Sequence, residues 1–468
     1  MFSLPAAVFG RLIPALPAPR RAAPVPLRAL ACALAALAIA AGAEAAQRAP
    51  DPVSAAVPGT ALPADAALDE LVGFAMRNNP EVGAAYHRWR AAADRVPQAG
   101  ALPEPQFGLG IVLDQVDDDA RYMGERYSIS QMFPWFGKLG LREDMAAREA
   151  SAAARAYESA RLGLLERVAG AWFEYAWLHQ AADKARENLQ LMQRLESVAR
   201  ARYRAGAASQ ADVTRAQVEL GRLDNQWRSL RDQLEPAGAS LNAVLGRSAH
   251  APLPASPPAP SRQAVAPLPQ KDDQAWLERA LRDSPALAEA RHQVERERHS
   301  VALARKAYYP DITLGLEYAR DASARMARMD GGGADMLVGM VSVSIPIRRK
   351  SYDAGVGEAE ARLAAADRRA ASRGQDIEAG LKRALFDYRD GERRMQLYGG
   401  TLVPKARQSL AVTETAYGTG EADFSDLVDA QRALLEFQLA HERAAADRGH
   451  ARARIDALLG APLPGDDS

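Results

Sequence analysis

The chain holds one cysteine in 468 residues, Cys32, and that one lies in an N-terminal stretch that reads as removable. Arg11, Arg20, Arg21 and Arg28 precede an apolar run over 29–43, and small residues follow at Ala41, Ala43 and Ala45. This is the pattern of a secretory signal cleaved after Ala45. Cys32 follows Arg28 too closely to have a hydrophobic region ahead of it, so it belongs to the signal and not to a lipid-attachment site. A mature chain without cysteine has no disulfide framework, thiolate metal site or cysteine nucleophile. Excess charge is lacking too: 59 basic residues face 59 acidic ones, and removing 1–45 leaves 55 and 58. That balance excludes the basic bias of a nucleic-acid binder. Outside the signal no stretch approaches ~18 uninterrupted apolar residues, so an exported chain that crosses a membrane must do so with β-strands. Catalytic groupings are missing as well. None of the seven histidines belongs to an H-E-x-x-H pair, and His292 and His299 are two helical turns apart, ~10 Å of rise, too far to share a metal. Gly331-Gly332-Gly333 lies between two predicted strands and precedes no helix, so it cradles no phosphate. No enzyme, cofactor or metal centre is expected.

What the chain does have is an internal repeat. Asn79-Pro80 to Gly110 aligns on Ser284-Pro285 to Gly315, pairing His87 with His292, Pro105 with Pro310 and Leu109 with Leu314 at an offset of 205. Ser130-Gln131-Met132-Phe133-Pro134 with Lys138 matches Ser342-Val343-Ser344-Ile345-Pro346 with Lys350. Tyr203, Gly206, Asp212, Ala216, Gln217, Leu220, Leu245 and Gly246 then match Tyr417, Gly420, Asp426, Ala430, Gln431, Leu434, Leu459 and Gly460 at an offset of 214. The expected organisation is a signal peptide (1–45), an extended segment (46–67), a first repeat (68–247), a Pro/Ala-rich linker (248–272), a second repeat (273–460) and a tail (461–468). Each repeat reads as a helix (68–98 or 275–308), two short strands, a very long helix (138–203 or 350–417), a turn and a return helix (208–246 or 423–459). In the first return helix Val213, Ala216, Leu220, Leu223, Trp227, Leu230 and Leu234 form a heptad seam, and Leu427, Ala430, Leu434 and Phe437 repeat it. The fold class is mainly α with a small β part.

The strands set this apart from an ordinary coiled coil. Phe107, Leu109, Ile111 and Leu113 alternate with Gln106, Gly108, Gly110 and Val112, and Tyr127, Ile129 and Phe133 alternate with Arg126, Ser128 and Ser130. Ile312, Leu314, Leu316 and Tyr318, then Leu337, Val341, Val343 and Ile345, repeat the pattern. One-faced strands of about 9–11 residues suit a tilted crossing of a bilayer. Periodicity alone allows a half-buried soluble sheet equally well, but the sequence offers no other strand to cover the apolar face. Four strands cannot close a transmembrane barrel, whose smallest size is about eight, and open edges are not tolerated in lipid. The barrel is therefore expected to be shared between copies of the chain.

With these features in hand the sequence resembles the TolC-type outer-membrane efflux family. The likeness rests on the doubled unit, on Gln131-Met132-Phe133-Pro134-Trp135-Phe136-Gly137-Lys138, and on the turns Tyr203-Arg204-Ala205-Gly206 and Tyr417-Gly418-Thr419-Gly420. It implies a homotrimer in outer-membrane lipid, with long-helix hairpins forming a helical barrel into the periplasm and four strands per chain in a shared 12-stranded β-barrel. It also implies a passive exit duct serving an inner-membrane pump through a periplasmic adaptor protein. Leu102-Pro103-Glu104-Pro105 and the Phe-Pro-Trp-Phe-Gly-Lys segment look most like channels of heavy-metal (RND-type) efflux; multidrug efflux and type I secretion are the alternatives. A periplasmic coiled-coil adaptor or scaffold would share the hairpins but would not need four bilayer-length strands. Met123, Met132, Met326, Met329, Met336 and Met340 lie in or beside the strands and loops, where thioethers are either soft ligands or packing filler. Asp114, Asp117, Asp118 and Asp119 read as a solvated acidic loop, with a divalent-cation site as the alternative.

The resemblance also implies the functional residues. The tips Arg204, Ala205, Gly206 and Ala207, with Gly418, Thr419, Gly420 and Glu421, are expected to dock the adaptor. Asp426 and Asp429 share one face of the opening turn of the last helix, and the resembling channels place aspartate rings at the periplasmic mouth. A helix N-terminal role explains Asp426 equally well, since Asp212 is its counterpart.

Overall fold

The computed structural model of the protein describes residues 66–111, 124–254, 257–260, 268, 272–321 and 336–460. The expected signal, most of 46–67, part of the linker and the tail 461–468 lie outside these residues, as do Asp114, Asp117, Asp118, Asp119, Met123, Met326 and Met329. The first copy comprises α1 (Leu68–Asn78), α2 (Pro80–Gly100), β1 (Gln106–Ile111), β2 (Gly124–Phe133), α3 (Lys138–Arg204), α4 (Gln210–Asp232) and α5 (Leu234–Val244). The second comprises α6 (Asp273–Asp283), α7 (Pro285–Lys306), β3 (Ile312–Asp321), β4 (Met336–Val343), α8 (Arg349–Leu397), a π-helical turn (Tyr398–Leu402), α9 (Val403–Thr419) and α10 (Phe424–Leu458).

Four of the expected helices are interrupted, three of them for a reason readable in the sequence. The entry helices break before Pro80 and Pro285, because a residue preceding proline is pushed out of the helical region. Asn79 (ψ 122°) and Ser284 (ψ 119°) are extended accordingly. Asn79 then uses the break: its Oδ1 accepts from the N–H groups of Glu81 (2.9 Å) and Val82 (3.3 Å), and its Nδ2 donates to the Val244 carbonyl (2.8 Å). The first return helix is divided at Gln233, whereas α10 runs unbroken for 35 residues. The second long helix carries the π turn that α3, 67 residues of uninterrupted α-helix, does not have. Its origin is readable in the repeat. Ala171-Trp172-Phe173-Glu174-Tyr175 matches Ala384-Leu385-Phe386-Asp387-Tyr388 at an offset of 213, and the offset has become 214 at Tyr203 and Tyr417. One residue has been added in between, and a π turn accommodates an inserted residue inside a helix.

The strands form one antiparallel sheet in the order β1-β2-β3-β4. α2 leads into β1, β2 into α3, α7 into β3 and β4 into α8, and these helices lie side by side in the matching order α2–α3–α7–α8. Away from the sheet the order becomes α4–α3–α10–α9, with α8 also against α10. Four apolar clusters hold this array among the described residues, the smallest formed by Phe173 with Ala169, Ala446 and Ala453. Leu223, Met192, Phe424 and Leu427 fill the half near the turns, and the heptad positions Ala216, Leu223, Leu427 and Leu434 are all buried there. Trp172, Leu164 and Leu71 centre a second core, and Leu381, Leu385 and Ile455 a third. No helix among the described residues is long and apolar enough to cross a membrane.

Candidate functional site

The sheet is two-faced, as its alternation requires. One row runs Leu109, Tyr127, Tyr318, Leu337 across all four strands, and a second runs Phe107, Ile129, Leu316. Most of these side chains are solvent-exposed within one chain, Leu337 at 70% and Phe107 at 64%, and Tyr127 is half-buried. The opposite face carries Ser128, Ser130, Thr313 and Ser342, with Arg126 and Glu317 paired at 3.8 Å. An apolar face wholly uncovered beside a polar face holding an ion pair is the arrangement of a wall between lipid and water. Met132, Met336 and Met340 all fall on the polar face.

Aromatic residues mark both ends of this wall. Tyr127 and Tyr318 pair with ring centroids 6.5 Å apart at one end, and Trp135 stacks on Tyr309 at 5.3 Å at the other, beside exposed Phe136. Tyr318 lies nine positions after Tyr309; at ~3.3 Å each and a strand tilt of ~40°, the apolar band is ~23 Å tall, close to that of outer-membrane barrels. The Phe-Pro-Trp-Phe-Gly-Lys segment is the lower corner of the wall. The Trp135 N–H donates to Asp311 Oδ1 (2.8 Å), and buried Lys138 reaches Asp311 Oδ1 (2.7 Å) and the Tyr309 carbonyl (3.0 Å). This fastens the first copy's strand-to-helix junction to the start of β3.

At the far end the two turns are built alike. The N–H of Ala207 donates to the Arg202 carbonyl and that of Glu421 to the Ala416 carbonyl, both at 2.8 Å. Gly206 (φ 74°) and Gly420 (φ 88°) supply the left-handed residue that this helix ending needs. Arg204, Ala205, Gly206, Ala207, Gly418, Thr419, Gly420 and Glu421 are all exposed. Arg202 brings the turns together: its guanidinium lies 4.7 Å from the centre of the buried Tyr417 ring and donates to the Ala207 carbonyl (3.2 Å). Tyr417 in turn packs edge-on against Phe424.

Asp426 and Asp429 have different surroundings. Asp426 accepts the N–H of Asp423 (3.1 Å) and thereby closes the start of α10, as Asp212 does with Ser209 (3.0 Å) at the start of α4. Asp429 is 73% exposed and lies 3.5 Å from Arg432, one turn further along α10. Arg432 also binds Glu219 of α4 (2.6 Å), which Arg222 holds from the other side (2.9 Å). Burial pushes the Glu219 carboxyl up, but the hydrogen bonds from Arg222 and Arg432 outweigh it and hold the group below the ordinary carboxylate range. Sequence reasoning did not find this buried ion cluster, because its members lie 213 residues apart. A charged residue one position before the heptad's Leu220 is the local sign of it.

The profile of the outer membrane efflux protein family matches residues 71–247 and 276–461, once on each copy. The chain is 24% identical over 405 residues to the cobalt-zinc-cadmium resistance protein CzcC of Cupriavidus metallidurans, spanning 84% of this chain and 90% of that one. It is 25% identical over 403 residues to the pyoverdine export outer membrane protein OpmQ of Pseudomonas putida, spanning 79% and 81%. Among solved structures the outer-membrane channel OprN superposes with a TM-score of 0.73 at 19% identity, over 85% of this chain and 90% of OprN.

Proposed function

We propose, from the premise that this chain belongs to the outer membrane efflux protein family, that three copies of it form the exit duct of a heavy-metal export machine. An outer-membrane efflux channel reaching into the periplasm is what family membership already gives; stoichiometry, docking, gating and cargo are the proposal. The observation that carries the duct is the sheet, apolar and bare on one face, polar on the other and open at β1 and β4. Open edges do not survive in lipid, and four strands do not close. Three copies give a closed barrel of twelve, with Ser128, Ser130, Arg126 and Glu317 facing its water-filled interior. The helices continue the wall strand by strand below the membrane, so one closed surface runs from the barrel to the turns.

The paired turns are where a periplasmic adaptor docks, because their eight exposed residues are the last solid surface before the duct's mouth. Asp426 and Asp429 of three copies together bring six carboxylates to that mouth. Asp426 serves the helix start as well, and the share of Asp429 in the ring is tempered by Arg432. No step in this function makes or breaks a covalent bond; the chain supplies a passage, and the inner-membrane pump supplies the work.

Heavy-metal cargo is supported by the likeness to a cobalt-zinc-cadmium resistance protein. Deleting the gene should sensitise cells to cobalt, zinc, cadmium, copper or silver, and the plasmid-borne gene should restore growth. Sensitivity confined to organic drugs, detergents or failure to export a siderophore would move the channel to the branch that OpmQ exemplifies.

A further inference from the structure

Within one chain the first copy meets the second along a seam of α3 with α7 and α10 and of α4 with α10, and around a closed ring each second copy must meet the first copy of the next chain. The two steps are related by the repeat. Every contact across the inner seam therefore names two positions that should face each other across the seam between chains. Two pairs are informative, because their members are out of place in an isolated chain.

Phe173 of α3 is 3% exposed, seated where α10 has Gly449 and where even a methyl group on that glycine would overlap the ring. Its counterpart Phe386, in the matching Ala-Leu-Phe-Asp-Tyr run, is 57% exposed. The counterpart of Gly449 is Glu235, just beyond the interruption between α4 and α5. Charges agree with that meeting. Lys382 and Arg383 lie one turn before Phe386, with the Arg383 guanidinium 5.6 Å from the ring centre and also paired with Asp387 (3.0 Å), and Asp232 and Glu235 are exposed beside the interruption.

The second pair is the buried ion contact between Glu219 and Arg432. Moved by 214 residues, it becomes Ala433 of one chain against Val218 of the next. Both members have changed character together, from an ion pair to an apolar pair, and Val218 is 67% exposed in the single chain. A lone valine facing water on a return helix is unremarkable; one whose mapped partner has also lost its charge is a matched surface.

We propose that neighbouring copies are joined along α8, α9 and α10 of one chain and α4 and α5 of the next, with Phe386 entering the α4–α5 interruption and Val218 packing on Ala433. The occupant of both faces is a second copy of this chain. The inference rests on the closed-ring reading above and extends it by assigning the contacts. The sheet agrees, since α8 carries the open strand β4 and the first copy carries the open strand β1.

The test uses the full chain purified in detergent, with Val218→Cys and Ala433→Cys introduced together and a short bis-maleimide cross-linker. Mass photometry reports the number of chains, and denaturing gels report covalent links. The expected result is a three-chain particle whose double variant gives dimer and trimer bands, while each single variant, which controls for Cys32, stays a monomer on the gel. The pair Glu219→Cys with Arg432→Cys should cross-link without leaving the monomer position. A three-chain particle without intermolecular links at 218 and 433 would overturn the assigned seam and leave the duct standing. So would a single Cys at 386 that labels with a soluble maleimide as fast in the trimer as in unfolded chain, since that would turn the face towards solvent or an adaptor. Absence of a three-chain particle would overturn the duct reading and the seam with it.

Discussion

Replacing Phe173 and Gly449, singly and together, tests the packing that fixes the two copies against each other. Phe173 is almost fully enclosed by Gly449, Ala446, Ala453 and Ala169. A phenylalanine buries ~150–200 Å², worth about 4–5 kcal/mol at ~25 cal/mol per Å², and truncations of this kind cost roughly 3–5 kcal/mol. Phe173→Ala should lose that amount. Gly449→Ala inserts a methyl group into the ring's space and should cost roughly 1–3 kcal/mol by overpacking. In the double variant the ring is gone and the new methyl group occupies part of the vacated space. The double loss should therefore fall short of the sum by at least ~1 kcal/mol, well beyond the ~0.5 kcal/mol within which independent sites add. Guanidinium unfolding in detergent, followed by far-UV circular dichroism at one protein concentration, gives the four free energies, provided the slopes agree. Additive losses would mean that Phe173 and Gly449 do not share a site, and the inner seam would have to be drawn elsewhere.

Three further outcomes are expected. Ala205→Trp at the exposed turn should abolish efflux while the trimer still assembles; export that survives bulky changes at both turns would put adaptor docking elsewhere. Asp426→Ala combined with Asp429→Ala should weaken block of single-channel current by divalent cations in planar bilayers, because a carboxylate ring favours cations. Unchanged block in an assembled double variant would leave Asp426 with its role at the start of α10 and Asp429 with Arg432. Glu219 is held below its ordinary pKa, so its stabilising contribution is present above about pH 4 and is lost as pH falls through its folded value. Glu219→Gln should be less stable than the parent at pH 7 and should lose less on acidification from pH 6 to pH 3. Parallel acid profiles by thermal melting would remove Glu219 from the account.

Much of this architecture was legible because it is written twice. The offsets between copies reveal the repeat, the alternation around Phe107 and Leu314 reveals the sheet faces, and the heptads around Leu223 and Leu434 reveal which helix stripe is buried. Local breaks were harder. Helices drawn through 68–98 and 275–308 ignore what Pro80 and Pro285 do to the residue before them, although that rule needs no structure. The π turn is a one-residue change in phase, visible only when the Phe173 and Phe386 runs are aligned closely. The site was legible in position more than in partnership: both turns are where the glycines place them, but Arg202 reaching Tyr417 and Arg432 reaching Glu219 join residues more than 200 apart. No window of sequence contains both ends of such a contact.

The placement of the interruptions has a mechanical consequence. α3 and α10 are the two continuous rods, and they lie against each other inside the chain. Among the long and return helices, the jointed members, α4 with α5 and α8 with α9 through the π turn, are the ones left on the chain's two flanks. Three chains in a ring would then alternate stiff staves with compliant hoops, as a barrel does, and give would be concentrated where one chain meets the next. A duct so built would widen by parting three joints while its staves keep their length, and its bore would change with three-fold and not six-fold symmetry. The repeat supplies each chain with two similar arms, and a single inserted residue together with one divided helix is enough to make them unequal.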